Sequence, residues 1–142
     1  GGTIVGLCNL INDENNPDTI NKLASRGKVE KVDLLLSDVV SGPIGQLPKD
    51  ATAVNFGKVR YINKSSKADK TAAIMNLVGQ TVARMASATA VAFNCEHVYI
   101  VGRTPQYDLY KSILKRWISF AGLSANFPKN GEFASSLGTL ID

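Results

Sequence analysis

Histidine, cysteine and tryptophan are nearly missing from this sequence, with one His, two Cys and one Trp among 142 residues. His97 is the sole imidazole, and neither Cys8 nor Cys95 has a Cys or His neighbour at ligand spacing. That scarcity argues against a zinc site and against a Cys/His nucleophile pair. A Ser-His-Asp triad would have to recruit His97 from the mouth of an apolar strand. The two cysteines read as buried free thiols in a reducing compartment, not as a disulfide. Long apolar runs are missing as well: no window approaches the roughly 18 apolar residues of a membrane helix, and the first residues lack the basic-then-apolar order of a signal peptide. No membrane is expected, and a cytoplasmic location is the default. Charge of one sign is also in short supply. The net charge is +4, but Lys22, Arg26, Lys28, Lys31, Lys58 and Arg60 stand singly among acids, with no aromatics interleaved, so no nucleic-acid partner is expected. With 44% apolar and 20% charged residues, the chain reads as an ordinary globular domain spanning 1–142.

What is present organises itself around residues 97–120. Val98, Tyr99, Ile100 and Val101 form a short apolar run that ends at Gly102 and feeds an amphipathic helix. A strand that ends in glycine at a helix N-terminus suits phosphate or nucleotide, because the helix end offers unpaired N–H groups and glycine permits close approach. After Pro105, helical spacing puts Leu109, Ile113, Leu114, Trp117, Ile118 and Phe120 on one face, with Tyr107, Lys111, Lys115 and Arg116 toward water. Both faces of the 97–102 strand are apolar, so a central place in a sheet is expected. An ordinary β–turn–α unit without ligand is the competing reading.

Ahead of that unit, Ile4, Val5, Leu7, Leu10 and Ile11 form a helical-looking set directly behind Gly1-Gly2-Thr3. The two glycines are either an added leader or the tail of a glycine-rich loop. Asn16-Pro17 reads as N-cap and first residue of a second helix, with Ile20, Leu23 and Ala24 inward and Gly27 as its stop. Residues 29–40 are expected to be helical, since Val32, Leu35, Leu36 and Val39 recur at three- and four-residue steps. A loop over 41–50, an extended piece over 52–56 and a turn at Asn55-Phe56-Gly57 follow. The longest helix is predicted over 68–94, its buried ridge made by Ile74, Leu77, Val78, Val82, Met85, Ala86, Thr89, Ala90 and Phe93. Gly79, Ala83, Ala86, Ser87, Ala88 and Ala90 give it a narrow waist, where a helix or a second subunit can approach. Residues 125–127 read as an edge strand stopped by Pro128. A last helix over 133–141 is expected to turn Phe133, Leu137, Leu140 and Ile141 inward and keep Ala134, Ser135, Ser136 and Gly138 on the other side.

Several stretches then line up with one family. Gly1-Gly2-Thr3-Ile4-Val5-Gly6-Leu7 resembles the end of the GGGT-x-x-GL motif of the type II, or eukaryotic-like, pantothenate kinases. Ala24-Ser25-Arg26-Gly27-Lys28 with Val32-Asp33 resembles that family's A-x-x-GD…VD segment, and Ala53-Val54-Asn55-Phe56-Gly57-Lys58-Val59 its A-x-NFG-x-V stretch. Val98-Tyr99-Ile100-Val101-Gly102 and Asn130-Gly131-Glu132-Phe133-Ala134-Ser135-Ser136-Leu137-Gly138 resemble the strand–glycine–helix and NGxFSGxxGA stretches. The order is co-linear over the whole chain. Lys28 departs from the family's aspartate, and Arg103-Thr104-Pro105-Gln106 from its more usual sequence after the glycine.

The resemblance implies an α/β ribonuclease-H-like C-terminal lobe of the actin, hexokinase and Hsp70 superfamily, with helices on a small mixed sheet. It implies a family that phosphorylates pantothenate with ATP and magnesium, the first step of coenzyme A synthesis, as a homodimer. The first phosphate loop, the magnesium-binding acid and the glutamate base belong to the N-terminal lobe, and none of those motifs occurs here. The chain is therefore expected to be the C-terminal, nucleotide-binding part of a two-lobe kinase, inactive alone, with ATP contacts from Gly1, Gly2, Thr3, Gly102, Arg103 and Thr104 and magnesium held mainly elsewhere. A non-catalytic nucleotide-binding or regulatory module on the same lobe is the alternative, and a Rossmann-like dinucleotide domain a weaker one, since G-x-G-x-x-G spacing is lacking. A two-fold contact through the long helix is expected on the Ala83 and Ser87 side.

Overall fold

The computed structural model describes residues 1–42, 44–61 and 64–140. Pro43 of the expected loop and Ile141 of the expected last helix lie outside the described residues. The chain divides into two compact units, Gly2–Leu77 and Val78–Asp142 with Gly1. The boundary falls inside the longest helix.

In the first unit, α1 (Gly2–Asn12) and α2 (Pro17–Arg26) precede a two-residue strand β1 (Leu34–Leu35), a short helix α3 (Leu36–Val39) and β2 (Thr52–Val54). Helix α4 (Lys67–Ala92) begins here. The signals at the ends of α2 act as read: Asn16 Oδ1 accepts from the N–H groups of Asp18 (3.0 Å) and Thr19 (3.1 Å), Pro17 opens the helix, and the Gly27 N–H closes it on Leu23 and Ala24. Gly27 has a second reason to be glycine. A Cβ there would run into the Ala68 carbonyl and lie 2.8 Å from the Ala72 Cβ, so only glycine lets the end of α2 meet the first turn of α4. That first turn carries a reciprocal cap: Ser66 Oγ accepts from the Asp69 N–H (3.1 Å), and the Asp69 carboxylate accepts from the Ser66 N–H (2.9 Å). The other Asp69 oxygen takes the Lys28 N–H at 2.8 Å. Asn12 Nδ2 donates to Lys67 O and Thr71 Oγ1, which ties α1 to the same turn. Ile4, Cys8, Ile20, Ala24, Val32, Ile74 and Met75 are buried.

Residues 29–40 are not one helix. A 310 turn (Val29–Lys31) leads into β1, which pairs antiparallel with β2 through Leu34↔Val54 and Leu35↔Thr52. The helical spacing of Val32, Leu35 and Leu36 loses to Asp33, whose buried carboxylate must reach donors on β2 and α4 and holds the backbone extended.

The second unit is a β–α–β crossover. Strand β3 (His97–Tyr99) and strand β4 (Ser124–Asn126) run parallel in the register His97↔Ser124, Val98↔Ala125, Tyr99↔Asn126. Helix α5 (Asp108–Phe120) connects them, as a parallel pair requires. Its buried face holds Ile113, Leu114 and Ile118 as expected and also Tyr110, while Phe120 is exposed. The strand at 97–102 is not central: among the described residues β3 pairs only with β4, and Tyr99 and Val101 are 66% and 47% exposed. The α/β class stands, with two two-stranded ladders in place of one mixed sheet. Helix α6 (Ala134–Gly138) is short, and Phe133, Leu137 and Leu140 are exposed instead of inward.

The ridge of α4 holds in its first half and inverts in its second. Ile74 is buried, but Met85 and Phe93 are 67% and 75% exposed, while Gly79, Ala83, Ser87 and Ala90 are buried. Those four lie on one face, and a Cβ on Gly79 would sit 2.8 Å from Ile113 Cγ2. At Gly79 the waist receives α5 of the same chain, and Ala83 and Ser87, expected at a two-fold contact, are buried within the chain. Cys8 is buried and free, its thiol pushed up to about 11 by burial and the Glu14 charge against a Thr71 hydrogen bond. Cys95 is exposed, contrary to the expectation of two buried thiols.

Replacing Gly27 with alanine is expected to lower unfolding stability by about 3 kcal/mol in urea titration, since backbone atoms of α4 must move. Gly6→Ala, at an open position on α1, is expected to be neutral or stabilising by up to about 1 kcal/mol.

Candidate functional site

Two places concentrate polar side chains, one in each unit. In the first, Asp33 is fully buried. Its carboxylate accepts the Phe56 N–H (2.8 Å), Asn76 Nδ2 (2.8 Å) and Asn55 Nδ2 (3.3 Å), with Thr52 Oγ1 at 3.5 Å. Asn76 also donates to Thr52 Oγ1 at 2.9 Å. Burial pushes the Asp33 carboxyl above its ordinary value, and the bonds from Phe56, Asn76, Asn55 and Thr52 offset only part of that. Phe56 stands at φ +58°, and a Cβ on Gly57 would lie 2.8 Å from the Leu34 Cβ. The Asn55-Phe56-Gly57 turn is therefore fastened to Asp33 and pressed against β1. Lys58 extends the fastening, its ammonium 2.6 Å from Asp38, whose carboxyl it holds below the usual value together with the Leu35 N–H. The arrangement is a polar lock with every strong donor directed at a protein atom.

The second place is a cavity of about 360 Å³ at the end of β3. Ile100 and Gly102 form one wall, followed by Pro105 and Gln106 of the 310 turn (Thr104–Gln106) and by Asp108 and Lys111 of the first turn of α5. The facing wall is Phe127, Pro128, Gly131 and Glu132. Gly102 has φ +91°, and its N–H donates to Gly131 O at 2.9 Å, so the chain after β3 is held to the turn after β4. Lys111 Nζ sits 5.2 Å above the Phe127 ring. The volume suits a nucleoside-sized group, and the half-open walls are mainly polar, with apolar faces from Ile100, Phe127 and Pro128.

Of the six residues expected to touch nucleotide, Gly102, Arg103 and Thr104 form the turn at this cavity. Gly1 joins them: a Cβ on it would lie 3.0 Å from Thr104 Oγ1. Gly2 and Thr3 are exposed in the first turn of α1, in the other unit. Lys28, which departs from the family pattern, contributes its backbone N–H to Asp69 and leaves its side chain exposed. Sequence reading missed the cavity's polar residues. Lys111 is expected on a solvated face and Phe127 in an edge strand, while Glu132 stands only within the stretch that resembles the NGxFSGxxGA motif; the cap position of the last helix is held by Phe133, with no side-chain bond. The signal for Asp108 and Lys111 was their i, i+3 spacing at the start of α5, whereas Phe127 and Glu132 arrive only through the parallel pairing of β4.

A family model described as Fumble matches residues 1–142. The chain belongs to the Fumble family. Curated relatives carry the name type II pantothenate kinase: one from Staphylococcus epidermidis is 27% identical over 99% of this chain and 54% of its own length. One from Oceanobacillus iheyensis is 25% identical over 99% and 54%, and one from Bacillus anthracis 24% over 99% and 52%. The chain spans about half the length of the curated relatives it matches. Family membership bears out the resemblance read in the motifs. It gives the Gly27, Asp33 and Asn55-Phe56-Gly57 stretches of this Fumble chain a physical reading as packing and locking positions.

For Asp33, a raised carboxyl in the folded state means stability that is fully present below the unfolded value of 3.8 and lost as pH rises through the folded one. Asp33→Asn is expected to flatten that part of the stability-versus-pH curve relative to the unsubstituted protein. Asp33→Ala, which strands the Asn76, Asn55 and Phe56 donors, is expected to cost about 3 kcal/mol at pH 7 in urea unfolding.

Proposed function

We propose that this chain is the C-terminal part of an ATP-dependent pantothenate kinase, that it holds the nucleoside half of ATP, and that it does not catalyse alone. The observation that carries the reading is the match of the whole chain to the Fumble family and to half-length segments of relatives named type II pantothenate kinase. The fold assigned to it is one lobe of an actin-like ATPase, and the exposed side of β3 is where further strands of a fuller sheet would pair. Gly102, Arg103 and Thr104, with Gly1 beside Thr104, form the nucleotide corner, and Gly2 and Thr3 begin a helix whose first N–H groups suit phosphate. Phosphoryl transfer depends on positioning and on neutralising phosphate charge. Here the chain's own residues position: Gly102 permits close approach, and Ile100, Phe127 and Pro128 offer apolar faces to the base. Magnesium, which supplies charge neutralisation in such a transfer, is not assigned to residues of this chain, because among the described residues no three metal-ligating side chains converge. Radiolabelled pantothenate tests the reading. The full-length protein is expected to form phosphopantothenate with ATP, and residues 1–142 alone to form none. Turnover by residues 1–142 would remove the part-of-a-kinase reading, and none by the full-length protein would remove the kinase itself.

A homodimer is part of the same reading, with the contact moved to the other face of α4. Val82 and Met85 are exposed large apolar side chains on one stripe of that helix, with Phe93 exposed just past its end, a surface that a two-fold copy of itself would cover. Met85→Glu is expected to shift a dimer to monomer in light scattering. A dimer that persists with both Met85→Glu and Val82→Glu places the contact elsewhere.

A further inference from the structure

Glu132 is the one cavity-lining acid for which the fold supplies a fixed backbone and no work. Its turn is pinned on three sides: Gly131 N–H to Pro128 O (3.1 Å), Phe133 N–H to Asn130 O (3.0 Å) and Gly102 N–H to Gly131 O (2.9 Å). Gly131 is buried, and Glu132 is half-buried at its edge. Among the described residues no donor meets the Glu132 carboxylate. The other polar side chains differ: Lys111 covers the Phe127 ring, and Asp108 sits at the N-terminus of α5, where an acid complements the helix dipole. A carboxylate only accepts hydrogen bonds, so its complement in this cavity must donate them. Phosphate has no donor to give at neutral pH and is repelled. Phe127, Pro128 and Ile100 offer apolar faces to a base. A ribose carries two adjacent hydroxyl donors, which a half-buried carboxylate at the cavity edge can accept.

We propose that Glu132 binds the ribose hydroxyls of the nucleotide and makes this cavity prefer ribonucleotides to 2′-deoxyribonucleotides. The inference rests on the nucleotide reading above and adds the residue that sets the sugar preference. A charge-assisted hydrogen bond of this kind corresponds to roughly tenfold in affinity.

Calorimetric titration of the protein with ATP, 2′-dATP and ITP tests it, using the unsubstituted protein, Glu132→Ala and Glu132→Gln. The expected result is about tenfold tighter binding of ATP than of 2′-dATP, with ITP close to ATP. In Glu132→Ala the two adenine nucleotides should bind equally, near the 2′-dATP level and with unchanged melting temperature; Glu132→Gln should keep part of the preference and stands in if the alanine variant misfolds. Equal binding of ATP and 2′-dATP by the unsubstituted protein overturns the proposal, as does a preference that survives both substitutions. A loss seen only between ATP and ITP assigns Glu132 to the base amine and overturns it too. If 2′-dATP binds but no sugar preference exists, the nucleotide reading survives alone. If no nucleotide binds, both fall.

Discussion

A carboxylate taken fully out of water at Asp33 is the constraint on which the first unit depends. Moving such a charge from water costs several kcal/mol unless hydrogen bonds replace its hydration. Here the replacements come from three separated pieces of chain: Thr52 on β2, Asn55 and Phe56 in the turn, and Asn76 on α4. Each donor is useful only if its element arrives at the right place, so satisfying one acid fixes the β1–β2 register, the left-handed backbone at Phe56 and the rotation of α4 about its axis. The same requirement explains why 29–40 is not helical. An uninterrupted helix would direct Asp33 along a helix face and leave the strand pair unformed.

Helix spacing is set by two glycines more than by large side chains. At Gly27 the end of α2 lies against the Ala68 carbonyl, and at Gly79 helix α4 receives Ile113 and Tyr110 of α5. Close approach of this kind gains dispersion from many short contacts but removes less apolar area per residue than leucine packing. It also commits the small side of α4 to the interior. Met85 on the same helix and Phe93 just past its end are then left outward, which an ordinary amphipathic helix would not tolerate without a cover.

This is also where reading the sequence succeeded and failed. Local chemistry was legible: Asn16, Pro17 and Gly27 mark α2 because capping depends on residues within one turn of the helix end. Strand, glycine and helix at 97–120 were legible for the same reason, as was the order of motifs that assigns the family. The direction of the α4 waist was not. Periodicity finds two faces, one large and one small, but which face is buried depends on the partner helix, and Ile113 becomes a neighbour only after β3 and β4 pair in parallel. Glu132 illustrates the same limit: its position two residues before a short helix resembles a cap, while the Gly102–Gly131 hydrogen bond holds its turn at the cavity.

On the proposed nucleotide reading, the electrostatics of that cavity favour one half of the ligand over the other. A helix N-terminus at low salt is worth roughly 0.3–1 kcal/mol to an anion. Asp108 already occupies that end of α5, and Glu132 stands on the facing wall. Like charges oppose one another at such a site, so the two acids work against a phosphate that the helix end favours. The net charge of +4 does not reverse this, because its cations are scattered and screened beyond about a Debye length. Lys111 is the single cation on the wall, and its ammonium lies over Phe127. The strand–glycine–helix unit therefore resembles a phosphate site in sequence, while the cavity beside it carries two carboxylates, which on the proposed nucleotide reading favour the uncharged, hydroxyl-bearing end of the ligand.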